Sequence, residues 1–234
     1  GKRHVPGWVY SIAAVVGAIA VTRWDGQTYK THPVTGGQVP DETARTQVQR
    51  LIGAKPTSWP KADFIVGNPP FIGNKRMRQL LGDSYVEALR QAYPNNIYNS
   101  IDFVMYWWDK AAEITQNCKT ESFGFITTNS ITQTFNRRII KKYLDSNNFY
   151  LSFAVADHPW VDNANGAAVR IAITAADRNT EQGTLGTVVF ESKDNADATS
   201  LTYDKGLIHS DLTVGANVSS ALKLSSNKDL SHQG

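Results

Sequence analysis

Asn68-Pro69-Pro70-Phe71 is the stretch of this 234-residue chain whose residue types and spacing best suit chemistry. It follows an apolar run, Phe64 to Val66, and a glycine, Gly67, and two adjacent prolines stop a strand there. A residue before proline is held extended, so Pro69 fixes the backbone of Asn68 and Pro70 fixes that of Pro69. The side-chain amide of Asn68 is thereby aimed. Its oxygen can accept one hydrogen of an NH2 group while the Pro69 carbonyl accepts the other. Phe71 can stack on the ring that bears the amine, a contact worth ~1–3 kcal/mol for a nucleobase. The lone pair of an exocyclic amine is drawn into its ring, which makes the nitrogen a poor nucleophile. Two acceptors on its hydrogens return density to the nitrogen and favour attack on an activated methyl. Adenine fits this description, and an adenine inside a duplex reaches such a pocket only by being flipped out.

A clip of this kind needs elements that hold it at the carboxyl end of a strand, where ligands sit in open α/β sheets. The pattern predicts buried strands at Phe64 to Val66, Ser122 to Thr127 and Leu151 to Ala156, with further strands at Val169 to Thr174 and Gly183 to Glu191. Helical spacing runs from Lys75 to Tyr93, from Ser100 to Thr115 and from Gln133 to Asp145. Strands separated by helices predict an α/β fold with a mostly parallel sheet, helices on both faces, and antiparallel pairing among the terminal strands. Turn residues recur from Thr22 to Pro60, which reads as a long connection holding one short helix near Asp41 to Leu51. The polar composition beyond Asp194 reads as a linker.

Composition narrows the classes. Hydrophobic content of 41% and charged content of 19% suit an ordinary globular chain. The net charge of +3 is uneven, with residues 1–60 carrying seven Lys/Arg against three Asp/Glu, which permits a nucleic-acid partner without requiring one. Cys118 is the only cysteine, so an intrachain disulfide and a cysteine zinc cluster are both excluded, which suits a reducing cytoplasm. The apolar run Gly7 to Val21 is shorter than the roughly 20 residues a membrane-spanning helix needs and reads as a buried helix or strand pair. No metal and no membrane partner are expected.

The clip DFIVGNPPF resembles motif IV of the amino-group DNA methyltransferases that use S-adenosyl-L-methionine. The longer run DFIVGNPPFIGNKRMRQLLGDSYVEALRQAY, followed by SIDFVMYWWDKAAEI, FGFITTNSITQTFNRR and ADHPWVDNANGAAVRIAIT, is similar to the MmeI-like adenine-specific enzymes of bacterial restriction-modification systems. The resemblance implies a Rossmann-like methyltransferase sheet acting on double-stranded DNA. It implies that Asn68 and Pro69 hold the target amine, that Phe71 stacks on the flipped base, and that Pro70, Asp102 and Trp107 border the cofactor's adenine. FGFITTNSI becomes the next sheet strand, with Thr128 and Asn129 at its exposed end. DHPWVDNANGAA becomes a loop beside the target base, with Asp157, His158 and Trp160 as contacts, although a turn-capping role also suits His158. Arg137, Arg138, Lys141 and Lys142 share a helix face that could meet phosphates or only solvent.

One departure limits what this chain supplies. Such enzymes open their catalytic domain with a strand, an FxGxG turn and an acidic residue that cradle the cofactor, and nothing before Asp63 matches. The expected organisation is an irregular segment at 1–60, the C-terminal half of a catalytic domain at 61–193, incomplete at its N-terminal side, and a linker at 194–234 toward a target-recognition domain. The cofactor-binding half, and a nuclease if there is one, would belong to a larger polypeptide. Two other readings stay open: a methyltransferase acting on RNA or on glutamine side chains, and a non-catalytic nucleic-acid-binding module.

Overall fold

The computed structural model describes residues 12–14, 17–146, 148–160, 169–191 and 199–216. They form two compact units, residues 12–59 with 75–99, and residues 60–74 with 100–216.

The first unit contains six short strands: β1 (Ala13–Ala14), β2 (Gly17–Trp24), β3 (Tyr29–Thr31), β4 (Gln38–Pro40), β5 (Arg45–Ile52) and β6 (Lys55–Pro56). They pair as antiparallel ribbons, β1 with β6, β2 with β5 and β3 with β4. The helix expected near Asp41 to Leu51 is therefore replaced by a strand. Val48, Leu51 and Ile52 have helical spacing over a single turn, but the backbone of RTQVQRLI finds partners in β2 along the whole register from Gly17 opposite Ile52 to Trp24 opposite Arg45. Likewise the described part of the Gly7 to Val21 run is strand, not helix.

The single helix expected from Lys75 to Tyr93 is two, α1 (Asn74–Leu81) and α2 (Asp83–Ala92). Gly82 separates them with φ of 80°, a left-handed conformation that glycine adopts without a Cβ penalty. Met77, Val86 and Leu89 are buried, and the Tyr93 hydroxyl donates to the Ile12 carbonyl at 3.1 Å. Asp83, at the start of α2, accepts from Arg78 and Arg23, which hold its carboxyl below the usual range.

The second unit is a six-stranded sheet with two helices: β7 (Phe64–Gly67), α3 (Val104–Gln116), β8 (Ser122–Thr128), α4 (Arg137–Leu144), β9 (Tyr150–Trp160), β10 (Val169–Asp177), β11 (Gly183–Glu191) and β12 (Thr199–Gly206). The spatial order is β12-β11-β9-β10-β8-β7. Parallel pairing joins β7 to β8 and β9 to β11, whereas β8–β10, β9–β10 and β11–β12 are antiparallel. The sheet is thus mixed rather than mostly parallel. No helix intervenes between β9 and β10 or between β10 and β11 among the described residues, and β10 inserts between β8 and β9 with reversed direction.

Several elements differ from the sequence reading: α3 starts at Val104 rather than Ser100, and β10 runs on to Asp177. β7 is the sheet edge, not a buried strand, with Phe64 53% and Val66 85% exposed. The strand at Leu151 extends through Trp160, so Asp157, His158 and Trp160 stand on β9 and not on a loop. β11 reaches β9 only at Phe153 to Val155, beyond which β9 has an open side where Pro159 costs no ladder bond. Thr199–Gly206, expected within a linker, pairs with β11, while the rest of that tail beyond residue 216 lies outside the described residues. The helix α4 starts at Arg137, four residues later than expected.

The core lies between the sheet and α3. Trp108 is fully buried, meets Phe123 edge-on at 5.3 Å, and donates its Nε1 hydrogen to the Thr174 hydroxyl at 3.2 Å. Tyr143 and Phe149 complete the cluster, 5.4 Å apart. Burying such large aromatic side chains supplies most of the drive that fixes α3 against β8 and β10.

Candidate functional site

β7, β8 and β9 point the same way, so Asn68, Asn129 and Asp157 all lie at or just beyond the carboxyl edge of the sheet. The clip leaves β7 directly after Gly67, which pairs with Phe125. Pro69 is buried and Phe71 half-buried, which anchors the turn, while Asn68 is exposed. Among the described residues the Asn68 side chain and the Pro69 carbonyl have no hydrogen-bond partner. The Pro70 carbonyl accepts from the Ile72 N–H at 3.1 Å, closing a tight turn around Phe71. The clip therefore offers two acceptors and an aromatic face at a strand end, the set an aromatic amine requires.

Asp102 differs from its expected role beside a cofactor. Its Oδ1 accepts the Asn74 N–H at 2.8 Å, and its Oδ2 accepts the Ser130 hydroxyl at 2.7 Å and the Asn136 amide at 2.8 Å. Asn136 returns the contact by accepting the Asp102 N–H at 2.9 Å and also donates to the Ser130 carbonyl at 2.9 Å. The Phe103 N–H adds a bond to the Ile72 carbonyl at 2.8 Å. Trp107 is 8% exposed and meets Phe103 edge-on at 4.6 Å, so core packing takes most of its surface. Asn74, Ser130 and Asn136 carry no signal in the sequence that links them to Asp102. Their partners are 28 or 34 residues away.

The four basic residues of α4 divide. Lys142 turns inward to the buried Asp109 at 2.9 Å, where the Tyr143 hydroxyl also donates, so it is not part of a free basic face. Lys141 pairs with Asp145 along the helix at 3.0 Å. Arg138 lies over the exposed ring of Phe135, 5.1 Å from its centroid, and Arg137 is half-buried. On β9, Asp157 accepts from Asn129 at 3.0 Å and from Arg170 at 2.6 Å, a residue the sequence had not singled out. His158 Nδ1 bonds the Pro159 carbonyl at 2.7 Å, which suits a local capping role. Trp160 is exposed at the end of β9, and the segment 161–168 that follows lies outside the described residues.

Among the described residues no cluster of three metal-ligating side chains occurs, and no helix is long and apolar enough to cross a membrane. The target-amine half of a methyl-transfer site fits the residues present. On the cofactor side, three protein donors occupy most of the Asp102 carboxylate and Trp107 is largely buried.

A mixed α/β sheet with an Asn-Pro-Pro-Phe clip at its carboxyl edge points to the methyltransferases as a class. Residues 29–187, more than half of the chain, match the family model described as MmeI, DNA-methyltransferase domain, and the chain belongs to that family. It is similar to DNA methyltransferase A of Bacillus subtilis (strain 168), 28% identical over 111 residues that make up 47% of this chain and 12% of that protein. Its fold matches the structure of the type IIL restriction-modification enzyme MmeI in complex with DNA, with a TM-score of 0.52 and 27% identity over 67% of this chain. A modification subunit from Vibrio vulnificus YJ016 is more distant, with a TM-score of 0.40 and 13% identity over 58% of this chain and 27% of that one. The chain spans about a fifth of the MmeI polypeptide.

Proposed function

We propose that this chain carries the target-amine pocket of an adenine-specific DNA methyltransferase of restriction-modification type. The observation that carries the proposal is the exposed Asn68 amide beside the Pro69 carbonyl at the end of β7, both without a hydrogen-bond partner among the described residues. Asn68 and Pro69 hold the N6 amine of a flipped adenine, and Phe71 stacks on its ring. In the intact enzyme S-adenosyl-L-methionine would supply the methyl for N6, while the residues of this chain would hold and orient the amine. Membership of the MmeI family and the DNA in the MmeI complex favour DNA over RNA or protein as substrate. Arg137, Arg138 and Lys141 serve phosphates, and Trp160 and His158 border the base.

The cofactor is held chiefly by another part of a larger polypeptide. Supporting this, β7 is an edge strand whose apolar side chains face solvent, the kind of edge that a further strand covers. In the intact enzyme, Asn68→Ala should lower methylation of adenine-containing duplex by at least about 10²-fold, the order seen when one preorganised hydrogen-bonding group is removed. Cofactor affinity, measured by calorimetry, should stay within twofold of about its starting value. Retained methylation would sink the assignment.

A further inference from the structure

Asp102 and Asn136 form a closed exchange of hydrogen bonds. Asp102 gives its N–H to Asn136 Oδ1 and receives the Asn136 amide on Oδ2, at 2.9 and 2.8 Å. Asn136 is 4% exposed, and the second hydrogen of its amide goes to the Ser130 carbonyl. An asparagine this buried and this fully satisfied is not available to a ligand. The opposite oxygen of Asp102 holds the Asn74 N–H, and the next residue, Phe103, holds the Ile72 carbonyl. Residues 72–74 are the immediate continuation of the clip. Asp102 precedes α3, yet its carboxylate reaches across to Asn74, Ser130 and Asn136, three points outside the helix.

We infer that Asp102 and Asn136 are positioning residues that fix the clip by fastening residues 72–74 to the ends of β8 and α4, and that Asp102 is not a cofactor ligand. This rests on the methyltransferase reading above. The physical basis is that Pro69 and Pro70 set the conformation of the clip and burial of Pro69 and Phe71 anchors it, while the segment after Phe71 must be held from outside. Two bonds, Asn74 N–H to Asp102 and Phe103 N–H to Ile72, supply that restraint from the C-terminal side. Charge-assisted bonds to a carboxylate are the strong kind, and Ser130 and Asn136 keep that carboxylate from turning away.

The test uses the intact enzyme with Asp102→Asn, Asn136→Ala and the paired exchange Asp102→Asn/Asn136→Asp. Each single change puts donor against donor or removes the partner, whereas the exchange restores a donor opposite an acceptor between the two residues, requires the Ser130 hydroxyl to accept where it donated, and loses the bond to the Ser130 carbonyl. Each single variant should lose roughly 10²-fold in kcat, as a misplacement of about 1 Å does, with cofactor and DNA affinities held within about twofold. The paired exchange should recover most of kcat. Asp102→Asn weakening cofactor binding while Asn136→Ala leaves kcat unchanged would overturn the inference, as would a loss of kcat that merely follows loss of folded protein.

Ser130→Ala, which removes a single donor, covers the case in which the other variants do not fold. In the chain itself it should speed amide hydrogen exchange at Asn74, and unchanged exchange there would overturn the inference. That readout is independent of methylation. An unmodified enzyme that methylates no adenine would defeat the functional reading while leaving the exchange result to judge the network.

Discussion

A methyl group placed on Gly67 would lie 3.2 Å from Cε1 and 3.5 Å from Cδ1 of Phe125, whose ring covers the residue that launches the clip. Phe125 is itself buried, so it has little room to yield. Gly67→Ala should cost about 1–3 kcal/mol by overpacking, read as a lower thermal midpoint, and lower kcat because Asn68 is the next residue. The clip was legible in the sequence because its parts are consecutive and proline constrains its own neighbours without help from the fold. The role of Asp102 was not legible. The resemblance set it beside a cofactor, whereas its bonds to Asn74, Ser130 and Asn136 join positions 28 to 34 residues apart, and no local pattern announces a hydrogen bond of that span. The same holds for Lys142, which shares a helical face with Arg138 by spacing but is drawn to Asp109 on α3.

That division of α4 gives two separable effects at the scale of the element. Lys142→Ala removes the cationic partner of the buried Asp109 and should cost about 2 kcal/mol, between the values for exposed and buried pairs, with little change in DNA affinity. Arg138→Ala should leave stability nearly unchanged and reduce the salt dependence of DNA binding by about one phosphate contact. Equal behaviour of the two variants in melting and in salt titration would contradict this assignment. The turn between β10 and β11 behaves differently again. Burial alone would raise the Asp177 carboxyl, but the N–H groups of Asn179 and Thr180 and the hydroxyls of Thr180 and Ser152 outweigh it and hold the acid below its ordinary value of 3.8. A carboxyl depressed by folding stabilises the protein above its unfolded value, and that contribution fades as pH falls through the folded value. Asp177→Asn should therefore lower stability at neutral pH by about 1 kcal/mol, and denaturant titrations should show the gap from wild type closing in acid. Helices α3 and α4 and strands β8, β10 and β11 were legible because their apolar periods are strong. β5 and β12 were not, since a strand with half its residues exposed takes its identity from the partner it pairs with.

At the scale of the whole molecule both edges of the described sheet carry exposed apolar side chains, Phe64 and Val66 on β7 and Tyr203 on β12. On β12 the exposed Tyr203 stands among exposed polar residues, Thr202, Asp204 and Lys205, as on edges that face water. β7 at the other edge exposes Phe64 and Val66 over a strand of four residues, a pattern that suits a strand with neighbours on both sides. A further strand from the cofactor-binding half proposed above would cover such an edge. Val66→Lys separates the possibilities. If the edge is solvent-facing in the working protein, the charge is harmless to both folding and function, since it discourages edge pairing. If another strand covers it, the lysine leaves the isolated chain equally stable and less prone to self-association, while in the intact enzyme it disrupts the junction and lowers cofactor affinity by about tenfold or more, the effect of a charge forced into an apolar contact. Light scattering of the chain and calorimetric titration of the intact enzyme with cofactor measure the two arms. Unchanged cofactor affinity in the Val66→Lys enzyme would show that the other half of the site does not meet this edge.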